Sequence, residues 1–313
     1  MSNKVTIIGA GSVGSTIAYT MVVNNIASEI VLIDINEPKA IGEAMDIYQG
    51  VPYCAPCQIY AGSYEDAEGS DVVILTSGIA RKAGQSRLEL AQVNVNITKE
   101  IMPQITKHAP NAIYIIISNP IDILTYQFYK YSGLPANHII GSGTTLDTAR
   151  LRTGIAEKFG ISQQNVHAYV FGEHGDSSFV PWSLANISNI PIEHYNASLP
   201  AERRVELDYA GLEEYMRKSG AKIIANKGAT FYAIAISVCH IIKCLFTGVD
   251  TTLTVSSMMN GEYGIDDVCL SVLSILGRDG LEAKMNVPLT DSEIEKLRHS
   301  AQCLKDVISQ IQF

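Results

Sequence analysis

Val5-Thr6-Ile7-Ile8-Gly9-Ala10-Gly11-Ser12-Val13-Gly14-Ser15-Thr16-Ile17-Ala18 opens the chain with a β-rich apolar run, a turn carrying glycines at Gly9, Gly11 and Gly14, and the start of a helical pattern that runs from Ser15 to Asn25. Glycines at this spacing let backbone N–H groups approach a phosphate, and the helix N-terminus beyond them points the positive end of its dipole at the same place. A bare G-x-G-x-x-G also occurs in turns that only pack tightly, so the strand before it and the helix after it carry the weight.

Working outward, the next strand pattern, Ile30–Ile35, carries Asp34 at its end, about 20 residues past Gly14, the spacing expected of a ribose-binding acid. A carboxylate there accepts hydrogen bonds from both ribose hydroxyls and repels a 2′-phosphate, which makes NAD rather than NADP the expected cofactor. Gly9, Gly11, Ser12, Val13, Gly14 and Asp34 are the candidate cofactor-binding residues. The alternative for Asp34 is a turn residue at a strand end.

Val5–Ile8, Ile30–Ile35, Gln58–Ala61, Val72–Thr76, Ala112–Ser118 and His138–Gly141 read as strands separated by helical periodicity. The unbroken apolar run Ile113-Tyr114-Ile115-Ile116-Ile117 fits a strand covered on both faces. The expectation is an α/β fold: a doubly wound parallel sheet over residues 1–141, the NAD-binding domain, then a second, mixed α+β substrate domain over 142–313. In that second part a helix is expected from about Thr144 to Phe159, short strands around Val166–Phe171, and helices near Glu202–Lys227, Ala229–Leu245 and Asp291–Ile311, the last with Asp291 as its cap. No repeat, low-complexity segment or Pro/Gly-rich linker separates the halves, so they are expected to pack tightly.

With 313 residues, 47% of them hydrophobic, the chain has ample material for a large core. A formal charge of −9 without any Lys/Arg block argues against nucleic acid and anionic membranes as partners. The longest uncharged apolar stretch, Gly228 to Ile242, falls short of a ~20-residue span, and His240 and Lys243 interrupt its end. The start of the chain carries no signal-peptide pattern, and a cytoplasmic location is expected. Six cysteines, Cys54, Cys57, Cys239, Cys244, Cys269 and Cys303, are then expected to be mostly reduced core residues. Cys54-Ala55-Pro56-Cys57 has redox spacing, but no second pair or nearby His completes a metal set, and no metal is expected.

Gly172-Glu173-His174-Gly175-Asp176 follows a strand pattern, with glycines leaving His174 room to face a ligand. Reducing a ketone by hydride requires a proton at its oxygen, and imidazole titrates near neutral pH. A carboxylate partner fixes the tautomer and raises the pKa of such a ring, and Asp147 is the candidate. Asp147 and Arg150 share a helix face at i and i+3, so Arg150 is placed to hold a substrate carboxylate through paired hydrogen bonds. An ion pair within the helix is the plainer alternative.

Together, Gly9–Gly14 with Asp34, the loop Gly78–Leu90, Ser118-Asn119-Pro120, Gly141–Arg152, Phe171–Ser177 and Gly228-Ala229-Thr230-Phe231-Tyr232 resemble the lactate and malate dehydrogenases over essentially the whole chain, most strongly the bacterial L-lactate type. The resemblance implies reversible hydride transfer between NADH and pyruvate, giving L-lactate. It implies His174 as acid/base, Asp147 as its partner, Arg150 as carboxylate clamp, Arg87 as the residue that polarises the carbonyl beneath a closing loop, and Thr230 in the substrate pocket. Asn119 is implied as a hydrogen-bond donor to the reacting oxygen and, with Ser118, as a cofactor contact. A homotetramer is implied as well. Arg152 and His167 match positions at which bacterial members resemble one another in binding fructose 1,6-bisphosphate across a subunit interface.

The resemblance divides at Arg81. Lactate enzymes of the family usually carry Gln there and malate enzymes Arg, where pairing with the second carboxylate of oxaloacetate shifts discrimination by about 2–5 kcal/mol. Glu173, Thr230, Gly143-Thr144-Thr145-Leu146-Asp147 and Asp122-Ile123-Leu124-Thr125 are of lactate type. Malate dehydrogenase is therefore the alternative reading, and a non-catalytic NAD-binding module, which needs Asp34 and the glycines but not His174, is another.

Overall fold

The computed structural model describes residues 3–79 and 86–313. Strands β1 (Lys4–Ile8), β2 (Glu29–Ile33), β3 (Gln58–Ala61), β4 (Val72–Leu75), β5 (Ile113–Ile116) and β6 (Ile139–Gly141) pair in parallel in the order β3-β2-β1-β4-β5-β6. Parallel neighbours demand crossovers, and α1 (Ser12–Val23), α2 (Glu37–Gly50), α3 (Arg87–His108) and α4 (Ile121–Tyr131) lie along them. The strand order reverses direction at β1 and β4, opening a crevice at their carboxyl ends. The doubly wound reading is therefore realised, with all of β4 and β5 buried as their unbroken apolar character requires.

Beyond Gly141 come α5 (Thr145–Phe159), β7 (Val166–His167), β8 (Asn186–Ile187), β9 (Ile190–Pro191), α6 (Ile192–Ser198), α7 (Tyr209–Lys227), α8 (Tyr232–Thr247), β10 (Thr251–Asn260), β11 (Asp266–Gly277), β12 (Gly280–Lys284) and α9 (Asp291–Ile308). The last three strands are antiparallel and extend the main sheet to nine strands among the described residues, β10 joining β6 where Ser256 pairs with Gly141. The six-strand expectation missed them for a physical reason. β10 and β11 are buried on both faces and carry wholly or nearly buried Ser256, Ser257, Ser271 and Ser274, so they show neither strict alternation nor a purely apolar run.

Other boundaries move. The strand expected over Val166–Phe171 stops at His167, and the chain re-pairs at Phe171 with Phe179 and at Gly172 with Ser271. The helix expected from Glu202 begins only at Tyr209, where the Asp208 side chain accepts the Gly211 N–H. The next begins at Tyr232 rather than Ala229. The C-terminal helix is capped by Thr290, not Asp291, in a reciprocal box with Glu293.

Both faces of the sheet are covered. On one, α3, α4 and α9 enclose Tyr114, Phe128, Val272 and Leu297. On the other, α1, α2 and α8 enclose Ile7, Ile17, Ile30 and Ile241, so residues from the two halves of the chain share one core. A third cluster packs α5 and α7 against β7 and β8. Among the described residues no helix is long and apolar enough to cross a membrane, and no group of His, Cys, Asp or Glu has the makings of a metal site. The six cysteines are unbridged. Burial pushes the Cys57 thiol up to about 11, with Cys54 and Glu29 adding to it, which disfavours the thiolate that redox exchange at Cys54–Cys57 needs.

Candidate active site

The turn after β1 closes on itself. Gly9 takes φ +107°, and a Cβ on Gly14 would fall 1.9 Å from the Gly9 carbonyl oxygen, so α1 approaches β1 this closely only as glycine. Gly11 instead faces open space, with no atom within 4 Å of where its Cβ would stand. Helix α1 starts at Ser12, earlier than the expected Ser15, and Val13 follows in its first turn. Neither a capping side chain nor an acidic residue occupies that first turn, so its N–H groups are left for an anion from outside.

Asp34 follows directly on β2 and accepts from Ala10 N at 2.7 Å and Asn36 N at 2.8 Å, which fixes its carboxylate beside the glycine turn. Ser118 Oγ donates to the Ser77 carbonyl at 2.5 Å, tying the end of β5 to that of β4. Backbone donors, open space at Gly11 and a carboxylate next to them fit a dinucleotide with an unphosphorylated ribose, as NAD has.

Across the same end of the sheet lies a cluster of charges. Asp147 stands in the first turn of α5, where the helix dipole favours an anion, and is only 4% exposed. Its Oδ2 meets His174 Nδ1 at 2.5 Å, and its Oδ1 accepts from Arg150 Nη1 at 2.9 Å. The carboxylate thus fixes the ring tautomer, leaving Nε2 as the working nitrogen of a side chain 20% exposed. Burial works against charge on His174, but Asp147 outweighs it, with Asp122 helping and Arg150 opposing, and the pKa is raised above 6.5. Burial likewise works against ionised Asp147, yet His174 and Arg150 hold its carboxyl below the ordinary carboxylate value.

The loop carrying His174 is pinned from several sides. Gly172 exchanges backbone hydrogen bonds with Ser271 of β11, and its φ of +94° sets Ser300 Oγ where a Cβ would collide. Ser300 Oγ accepts from Glu173 N at 2.8 Å, and Asp122 Oδ2 accepts from His174 N at 2.7 Å. Thr144 and Thr148 of the α5 start bind the carbonyl and N–H of Val170, fixing the approach to the loop.

Arg87 begins α3 just after the capping Ser86 and pairs through Nη2 with Asp176 Oδ2, which joins the far end of the Gly78–Leu90 loop to the histidine loop. Asn119 lies between β5 and α4, its carbonyl accepting from Asn94 Nδ2 at 2.7 Å. Thr230 sits in the turn before α8 and makes no hydrogen bond to the cluster among the described residues. Arg81 lies outside the described residues. Arg152, two residues past Arg150, faces the other side of α5, where its Nη2 donates to the Gln163 carbonyl at 3.2 Å and its Nε is buried without a partner. His167, in β7, stands opposite Asn186 of β8.

Sequence reading gave no role to Asn94, Ser256 and Ser300, and counted Asp122 only within a lactate-type run. Asn94, 1% exposed, uses Oδ1 for Ile79 N and Nδ2 for the carbonyls of Ile79 and Asn119, so it binds the start of the Gly78–Leu90 loop to the start of α4. A polar residue on the buried face of α3 was the available signal.

Residues 3–141 match the family described as lactate/malate dehydrogenase, NAD binding domain, and residues 144–312 match the lactate/malate dehydrogenase alpha/beta C-terminal domain. The chain is 46% identical over 309 residues to an L-lactate dehydrogenase of Acetivibrio thermocellus, covering 98% of this chain and 97% of that one. It is 44% identical to the L-lactate dehydrogenase of Thermoanaerobacterium saccharolyticum, covering 99% of each. Among solved structures it is similar to the minor L-lactate dehydrogenase of Enterococcus mundtii in a ligands-bound form, with a TM-score of 0.94 at 37% identity, over 100% of this chain and 99% of that one.

Proposed function

The chain belongs to the lactate/malate dehydrogenase family and carries its NAD binding domain, and from that premise we propose that it interconverts pyruvate and L-lactate. The observation that carries this reading is the His174–Asp147–Arg150 array: a ring fixed at Nδ1, protonated above its ordinary pKa, beside a guanidinium suited to a carboxylate. A non-catalytic NAD-binding module has no use for it.

When bound, NADH supplies the hydride to the carbonyl carbon of pyruvate. The Arg150 N–H groups not given to Asp147 hold the substrate carboxylate, and Asn119 together with Arg87 polarises the carbonyl. His174 Nε2 gives its proton to the carbonyl oxygen, and the imidazole left behind regains a proton from solvent. Asp147 stays ionised throughout and stabilises the imidazolium of the waiting state. Arg87 pairs with Asp176, and to polarise the carbonyl it exchanges that partner for the substrate oxygen. Thr230 lines the pocket near the substrate methyl. Residues 1–141 form the cofactor domain, with Gly9, Gly11, Ser12, Val13, Gly14, Asp34, Ser118 and Asn119 as contacts, and 142–313 form the substrate domain.

Arg81 favours oxaloacetate, the lactate-type relatives favour pyruvate, and turnover of the two at equal concentration decides. Pyruvate preferred supports the reading; oxaloacetate preferred tenfold or more overturns it in favour of malate. The buried, unpartnered Nε of Arg152 supports an anion site, shared with His167, for fructose 1,6-bisphosphate, and the family's pattern goes with a cytoplasmic homotetramer. A pyruvate saturation curve unchanged by the bisphosphate removes that part.

A further inference from the structure

Helix α7 ends at Lys227 and α8 begins at Tyr232, and Gly228, Ala229, Thr230 and Phe231 connect them. The connection is a sharp turn: Gly228 takes φ +86°, a conformation that favours glycine, and Phe231 sits outside the helical region at φ −152° and ψ −30°. A charge laid over two rings spans it. Lys227 Nζ lies 3.2 Å from the centroid of the Phe231 ring and 4.2 Å from that of Tyr232, and the two rings meet edge to face at 4.5 Å. Both distances fall well inside the reach of about 6 Å over which a ring face attracts a cation.

The ammonium has no competing partner on its own helix. Arg217 and Lys218 pair with Glu213 and Glu214 one turn back, whereas the corresponding positions before Lys227 are Ile223 and Ile224. Lys227 makes no ion pair among the described residues. Phe231 is only partly buried and Tyr232 is 64% exposed, so the core holds neither ring fully and the ammonium joins both to the end of α7.

We propose that Lys227 is a positioning residue: clasped over Phe231 and Tyr232, it closes the α7–α8 turn and sets where Thr230 stands in the pocket wall. Thr230 lies between the two ends of the clasp, so its backbone is fixed from both sides while its side chain is left for the substrate. The inference rests on Thr230 lining the substrate pocket, as in the reading above. A partly exposed cation over a ring shifts an equilibrium by about two- to fivefold. That size suits a residue that tunes which keto acid fits, not one that touches the reacting atoms. Pocket walls discriminate a single methylene by about 10–200-fold, so a slackened turn should show first in the choice between pyruvate and 2-oxobutyrate, its homologue longer by one methylene.

The test is kcat/KM for these two acids at saturating NADH, with kcat and KM resolved, in Lys227→Met, Lys227→Arg and Phe231→Leu. Methionine removes the charge and keeps much of the stem, while arginine keeps a cation that stacks on rings. Lys227→Met should lower the preference for pyruvate about two- to fivefold, through a raised pyruvate KM with kcat nearly unchanged, and Lys227→Arg should restore most of it. Phe231→Leu should move the preference the same way, and adding Lys227→Met to it should move it little further, because the pair acts as one unit. Should Phe231→Leu not fold, Tyr232→Leu takes its place in this cycle. An unmoved preference in Lys227→Met, an arginine variant as impaired as the methionine one, or full additivity of the two changes overturns the proposal and leaves the lactate reading intact. No pyruvate reduction by the unaltered protein removes both.

Discussion

The glycine turn and the His174 cluster sit at the same end of one sheet but are made of different material. The turn is built from backbone: Gly9, Gly11 and Gly14 are close in sequence, and their geometry follows from missing side chains. The cluster is built from side chains that α4, α5, the histidine loop and the start of α3 bring together from distant parts of the chain, with Asp122 and Asp147 buried as charges. A backbone site is decided locally and costs little to maintain. A buried charged site exists only after the chain has folded around it.

The sharpest way to break this contrast is to damage one side alone. His174→Gln should lower pyruvate turnover by about 10³–10⁴-fold, towards the upper end of what a general acid contributes, while NADH binding by fluorescence titration stays within a few-fold. Equal loss of both would mean the two regions are not separable. On the other side, Gly14→Ala drives a methyl into the Gly9 carbonyl, and α1 must shift. Denaturant unfolding should show a loss of about 1–3 kcal/mol, with NADH affinity falling in parallel. The smallest effect is expected at Asp34. Asp34→Ser removes the carboxylate that opposes a 2′-phosphate, and the NADH over NADPH preference should fall by about tenfold, read as the ratio of kcat/KM values.

The same contrast explains what was legible in the sequence. The parallel sheet could be read because β4 and β5 are apolar throughout and β1 is mostly so, and the cofactor turn because its spacing is local. His174, Asp147 and Arg150 were readable as chemistry, since glycines flank the histidine and a helix repeat joins the other two. Asp122 and Asn94 were not, because each acts by accepting or donating to backbone far away in sequence, and nothing in their neighbours marks that partner. The antiparallel strands β10 and β11 escaped notice because buried serines interrupt their apolar pattern, and two of those serines, Ser256 and Ser271, serve the site: one binds Asp122, the other the backbone of Gly172. Helix starts at Ser12, Tyr209 and Tyr232 moved for a simpler reason, that caps and turns set the first residue more than apolar periodicity does.

In the proposed reaction Asp147 holds His174 in its protonated form for delivery to a keto acid. Reduction needs the ring proton, so its rate should be level at low pH and fall as pH rises through the raised pKa of His174. The direct measurement is pyruvate kcat/KM against pH, at saturating NADH, for the unaltered chain and Asp147→Asn. The expected result is an upper limb above 6.5 that moves to lower pH in the variant, with a lower plateau. A limb already below 6.5, or one that Asp147→Asn leaves in place, contradicts it.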